Sequence, residues 1–149
     1  MEERWQEYFA FMDQLGGVLD QLAAIAREKN AAVRHDDLMK VNECMKREQA
    51  ISLSLRAMDR KREKMLEELG LKGVRLSGLA DRCPPEVRLQ ARAAAEKLKN
   101  RYDIFQSASE SARLTMEINL HEIEKKIAAR EQNGPAPELR HKAFADIRA

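Results

Sequence analysis

Apolar residues recur at spacings of three and four along nearly the whole chain, and that rhythm leaves room for little except helices. Three runs carry it, from about Trp5 to Val33, from Leu38 to Leu69 and from Val87 to about Ile127. A period near 3.6 puts such positions on one helix face, whereas a strand would need alternation. Each run is far longer than an average globular helix of roughly 11–12 residues. The fold class expected is all-α, an up-down-up bundle of three long antiparallel helices over 2–33, 37–69 and 85–131, with a flexible C-terminal tail over 132–149.

The first run has two stripes side by side. Trp5, Phe9, Met12, Gly16, Leu19, Ala23, Ala26, Asn30 and Val33 form one, and Tyr8, Phe11, Leu15, Val18, Leu22 and Ile25 form the other. A two-stranded coiled coil needs only one narrow seam, so this helix wants two neighbours. Gly16-Gly17 costs on the order of 1 kcal/mol per glycine. The pair marks a close crossing or a bend, or it is a tolerated weak spot. His35-Asp36-Asp37 then breaks the pattern, with Asp36 the candidate N-cap of the next helix. So short a join should make the first two helices antiparallel, the main alternative being one continuous helix through Arg34.

Val41, Cys44, Glu48, Ile51, Leu55, Met58, Arg62, Met65 and Leu69 share the stripe of the second helix, and Gly70 suits the left-handed position that ends one. The stretch GLKGVRLSGLADRCPP reads as a loop with a short helical turn near Leu76–Asp81, and Pro84-Pro85 opens the last helix. That helix carries Val87, Ala91, Ala94, Leu98, Tyr102, Phe105, Ala112, Met116, Ile123 and Ile127. About 45 residues span roughly 65–70 Å, against roughly 45–50 Å for the other two, so part of it should project beyond the bundle or cover the loop.

Composition narrows the function. Lys+Arg 27 against Asp+Glu 25 leaves a net charge of +2, without the concentrated basic face of a nucleic-acid binder. No run approaches the 18 or so apolar residues of a membrane span. The opening MEERWQEYFAFMDQ lacks the basic and apolar regions of a signal peptide. Cys44 and Cys83 form no CxxC pair and read as free thiols of a cytoplasmic protein. His121-Glu122-Ile123-Glu124-Lys125 has Lys where a zinc-protease helix needs a second His. Glu117, His121 and Glu124 lack the paired Glu-x-x-His motifs of a carboxylate metal site. No catalytic, cofactor or metal residues are therefore assigned, and no enzyme activity is expected. Glu48 and Arg62 interrupt an apolar stripe, either buried in hydrogen bonds or snorkelling at its edge. The basic stretch from Arg56 to Lys64 reads as an ordinary solvated face. Trp5, Tyr8, Phe9 and Phe11 close the core if the last helix passes beside them, and form an exposed patch if it does not.

In the tail, Leu139, Phe144 and Ile147 fall on one helical face after the Asn133-Gly134-Pro135 break. Fourteen residues do not hold a helix alone, so these are the candidate partner-binding residues of a segment that orders on binding.

The pattern Lys46-x-Glu48-x-Ala50-Ile51 followed by Arg60-Lys61-Arg62-Glu63-x-x-Leu66 resembles the FlgN family of flagellar type III export chaperones. The Leu/Ala-rich LDQLAAIAREKNAAV before it, the late LTMEINLHEIEKKI and the ending Phe144-Ala145-Asp146-Ile147-Arg148-Ala149 are similar too. The resemblance covers roughly residues 15–130. Where family members often carry Asn pairs in the last helix, this chain has Ser107, Ser109 and Ser111, with Asn119 further on. The resemblance implies a cytoplasmic, non-enzymatic chaperone. Its partners would be flagellar hook-associated proteins of the hook-filament junction and an export-gate component, with no nucleic acid and no membrane insertion. The alternative is a structural coiled-coil assembly protein without a secreted client, which should self-associate.

Overall fold

A computed structural model describes residues 2–131, and all regular structure among them is helical. Helix α1 spans Glu2–Arg34, α2 Leu38–Glu68, a short α3 Leu79–Arg82 and α4 Arg88–Glu131. Single 3-10 turns at Leu76–Gly78 and Pro85–Val87 flank α3. The described residues thus form four helices, the three long ones expected for the bundle and a short fourth: the helical turn expected near Leu76–Asp81 forms as the 3-10 turn and α3, which buries Leu79 and Ala80. The segment 132–149, with Leu139, Phe144 and Ile147, lies outside the described residues.

α1 is the central element. Both of its stripes are buried or half-buried, as two neighbours require. It packs most extensively on α4 and next on α2, whereas α2 and α4 meet far less. Cross-links give the directions. Gln6 bonds Gln90, Asp13 bonds Lys97 and Asn30 bonds Ser111, so α1 and α4 run parallel. Lys29 pairs with Glu48 and Tyr8 with Arg62, so α2 runs antiparallel to α1. Asn119 lies opposite Val33, near the end of α1, and the rest of α4 overhangs by about 18 Å at 1.5 Å per residue.

Both hairpin ends are tied off by the same device. At the end of α1, Asp37 N–H donates to the Ala32 carbonyl and Asp36 N–H to the Val33 carbonyl. Asp36 takes φ +56°, the left-handed position of a Schellman cap. The N-cap of α2 is therefore Asp37, not Asp36: its carboxylate accepts from Lys40 N–H at 3.1 Å. The sequence has two aspartates in a row, and the left-handed residue cannot cap the helix that follows. Asn119 Nδ2 donates to the Val33 carbonyl at 3.0 Å, which clips α4 onto that cap. At the end of α2, Gly70 has φ +81°, and Leu71 N–H bonds back to the Leu66 carbonyl.

The main core lies at the N-terminal end of α1. Trp5, Tyr8, Met12, Leu15 and Leu19 pack with Leu66, Leu69, Leu79, Cys83, Val87, Ala91 and Leu98. Trp5 and Tyr8 meet edge to face at 6.0 Å. Trp5, Tyr8 and Phe11 are buried and Phe9 half-buried, so the N-terminal aromatics are core. A second, thin cluster of Ala32, Val33 and Val41 sits at the other end, with Met45 and Met116 against it.

Between these ends α4 crosses close to α1. A Cβ added to Gly16 would collide with the Arg101 guanidinium and lie 2.7 Å from its Cδ. Arg101 crosses over this glycine to reach the Asp13 carbonyl at 3.1 Å and the Asp20 carboxylate at 3.4 Å. Gly17, its neighbour, faces open space.

Candidate protein-docking groove

Because α2 and α4 flank α1 without closing on each other, a trough remains between them. Its floor is the Leu15 and Leu19 side of α1. Leu55 lines the α2 wall, Leu98 and Tyr102 the α4 wall, and Leu76 from the linker closes one end. The volume is about 350 Å³, within the range of binding clefts and large enough for several aliphatic side chains.

Tyr102 shows why the trough stays open. Periodicity puts it on the buried stripe of the last helix, yet it is 46% exposed. Arg101 occupies the α1-facing position instead, drawn over Gly16 by Asp13 and Asp20. The stripe slips by one residue, and Tyr102 turns to the α2 side, edge-on to Phe105 with ring centroids 6.5 Å apart. A large aromatic ring that meets Phe105 edge-on and stays half in water at the edge of an apolar trough offers a contact surface to a partner.

The charged residues divide into paired and unpaired. Arg62 lies along the wall with Nε 2.9 Å from Asp59 and a longer 3.4 Å bond to the Tyr8 hydroxyl. Burial pushes the Tyr8 hydroxyl above its ordinary range and Arg62 offsets part of that, so Tyr8 stays a neutral acceptor. Glu48, the other polar residue on the α2 stripe, has both carboxylate oxygens about 3 Å from Lys29 Nζ. Both interrupting residues are thus paired where they sit. Arg56 on α2 and Lys99 on α4 line the trough and have no ion-pair partner among the described residues. In the sequence Arg56 reads as part of a solvated face, and nothing in the local pattern singles out Lys99. Only the helix register across the trough brings the two together.

A second cleft lies where α4 passes the α1–α2 turn, lined by Val33, Arg34, Asp36, Thr115, Ile118, Asn119, Glu122, Ile123 and Lys126. At about 600 Å³ it is larger, but charged and amide groups make up much of its wall. The leucine-floored trough is the better docking surface, because apolar area removed from water drives association.

The two thiols take no part in either cleft. Both are buried and free. Burial and then the Glu28 carboxylate push the Cys44 thiol up, so it stays protonated and unreactive near neutral pH. No helix among the described residues is long and apolar enough to cross a membrane.

No curated protein and no solved structure matches the chain. The family model described as FlgN protein matches residues 1–134, nearly the whole length. With that match over both long hairpin helices and the entire last helix, the chain belongs to the FlgN family.

Proposed function

We propose that this protein is a cytoplasmic flagellar export chaperone that holds hook-filament junction proteins before secretion and hands them to the export gate. The observation that carries the reading is the family match over residues 1–134. The apolar trough between α2 and α4 supports it, as a place where an unassembled partner can bury a helical stripe. Binding alone does this work, and no catalytic step is assigned.

In this reading the helical body, 1–131, and the segment 132–149 share the task. Leu139, Phe144 and Ile147, whose spacing in the sequence would put them on one face of a helix formed on binding, serve as anchors in a groove of the client or the gate component. A buried Phe contributes roughly 1.5–3 kcal/mol, less the cost of ordering the segment. Phe144→Ala should weaken partner binding about tenfold, which is 1.4 kcal/mol. The melting temperature should barely move, and a large drop would mean that the tail packs on its own helices.

The test mixes the purified chain with purified hook-filament junction proteins. A one-to-one complex that keeps the client from aggregating is expected. Self-association into larger assemblies without client binding would instead favour a structural module.

A further inference from the structure

We propose that the α2–α4 trough selects an amphipathic helix whose apolar stripe is flanked by carboxylates on both sides. The proposal rests on the docking role assigned to the trough above and adds the chemistry of its occupant. Leucines make the floor and inner walls: Leu15, Leu19, Leu55 and Leu98. Such a surface takes an apolar stripe at i, i+3, i+4 and i+7.

The rim sets the rest. Arg56, Arg62 and Lys99 line the trough with a single carboxylate, Asp59. Asp59 is held by Arg62 at 2.9 Å, so those two largely cancel. What remains is one unpaired cation on each wall, Arg56 on α2 and Lys99 on α4. Both are exposed, each long enough to lean over an occupant from its own side. A helix lying on the leucine floor presents its flanking residues to both at once. Acidic flanks gain attraction on both sides, and basic flanks meet repulsion on both. A helix with a bare apolar face would bind without orientation or preference.

The experiment uses the full chain and two synthetic helical peptides with the same leucine stripe, one with glutamate flanks and one with lysine flanks. Fluorescence anisotropy gives each affinity. The glutamate peptide should bind roughly tenfold tighter at low salt, the effect of two exposed pairs turned from repulsion to attraction. Near 1 M salt, where the screening length is about 3 Å, the preference should shrink towards none. The double variant Arg56→Glu with Lys99→Glu should invert it. Should that variant melt differently from wild type, Arg56→Gln with Lys99→Gln serves instead and should abolish the preference. Equal binding of the two peptides, binding of neither, or a preference that survives both double variants would overturn the proposal. A parallel titration with a hook-filament junction protein separates the two readings. Peptide selectivity without client binding sinks the chaperone assignment alone, and client binding without selectivity sinks only the acidic-flank rule.

Discussion

The two ends of α1 are built differently. At the N-terminal end, Trp5, Tyr8 and Met12 meet residues from α2, from α4 and from the linker that wraps them. At the C-terminal end, Ala32, Val33 and Val41 make a core of small side chains beside the turn. The first end encloses an aromatic plug under Leu79 and Val87. The second is held as much by backbone caps and by Asn119 as by apolar burial. Stability should therefore concentrate at the first end, whose core residues Leu15, Leu19 and Leu98 also line the trough and hold it in shape for a partner.

The sharpest way to break this contrast is to truncate a side chain at each end. Trp5 is 1% exposed, and Trp5→Ala should cost about 3–5 kcal/mol by denaturant unfolding. Val41→Ala, at the thin end, should cost about 1–2 kcal/mol. Equal losses would mean that the two clusters matter alike.

A smaller effect separates the adjacent glycines. Gly17→Ala meets open space and should gain up to about 1 kcal/mol from helix propensity. Gly16→Ala receives the same gain but must displace Arg101 from Asp13 and Asp20, so it should be neutral or destabilising. If both substitutions stabilise equally, the close crossing of α1 and α4 is not a constraint.

The smallest effect concerns pH. Hydrogen bonding and charge from Lys97, then charge from Arg101, hold the Asp13 carboxyl below its usual 3.8. A depressed folded-state value means that its contribution is present above about pH 4 and is lost as pH falls through the lowered value. Asp13 is well exposed, so the effect is small. Asp13→Asn should flatten the acid limb of the stability curve slightly and leave neutral pH nearly unchanged.

Much of this fold was legible in the residues. The two stripes of α1 implied two neighbours, and both stripes are covered. Gly70 implied a left-handed helix end and has one. Local chemistry decides such features, so local patterns reveal them. The Asp36–Asp37 cap was misplaced by one residue, since either aspartate satisfies the capping preference and only the backbone path chooses. The trough was not legible at all. It exists because α2 and α4 flank α1 without closing on each other, and its Tyr102 wall depends on Arg101 taking the α1-facing position opposite Gly16. Periodicity within one helix carries no information on register between helices. Arg56 and Lys99, far apart in sequence, become a pair of rim charges for the same reason.

The central claim is that the trough, rather than exposed apolar residues in general, receives the partner. Calorimetric titration of a purified hook-filament junction protein tests it with the wild-type chain, Tyr102→Ala and Leu53→Ala. Tyr102 lines the trough; Leu53, on α2, is 66% exposed and is not part of the trough wall. Tyr102→Ala should weaken binding about tenfold, near 1.4 kcal/mol, with Leu53→Ala indistinguishable from wild type and all three melting alike. Full affinity in Tyr102→Ala, or an equal loss in Leu53→Ala, would contradict the claim.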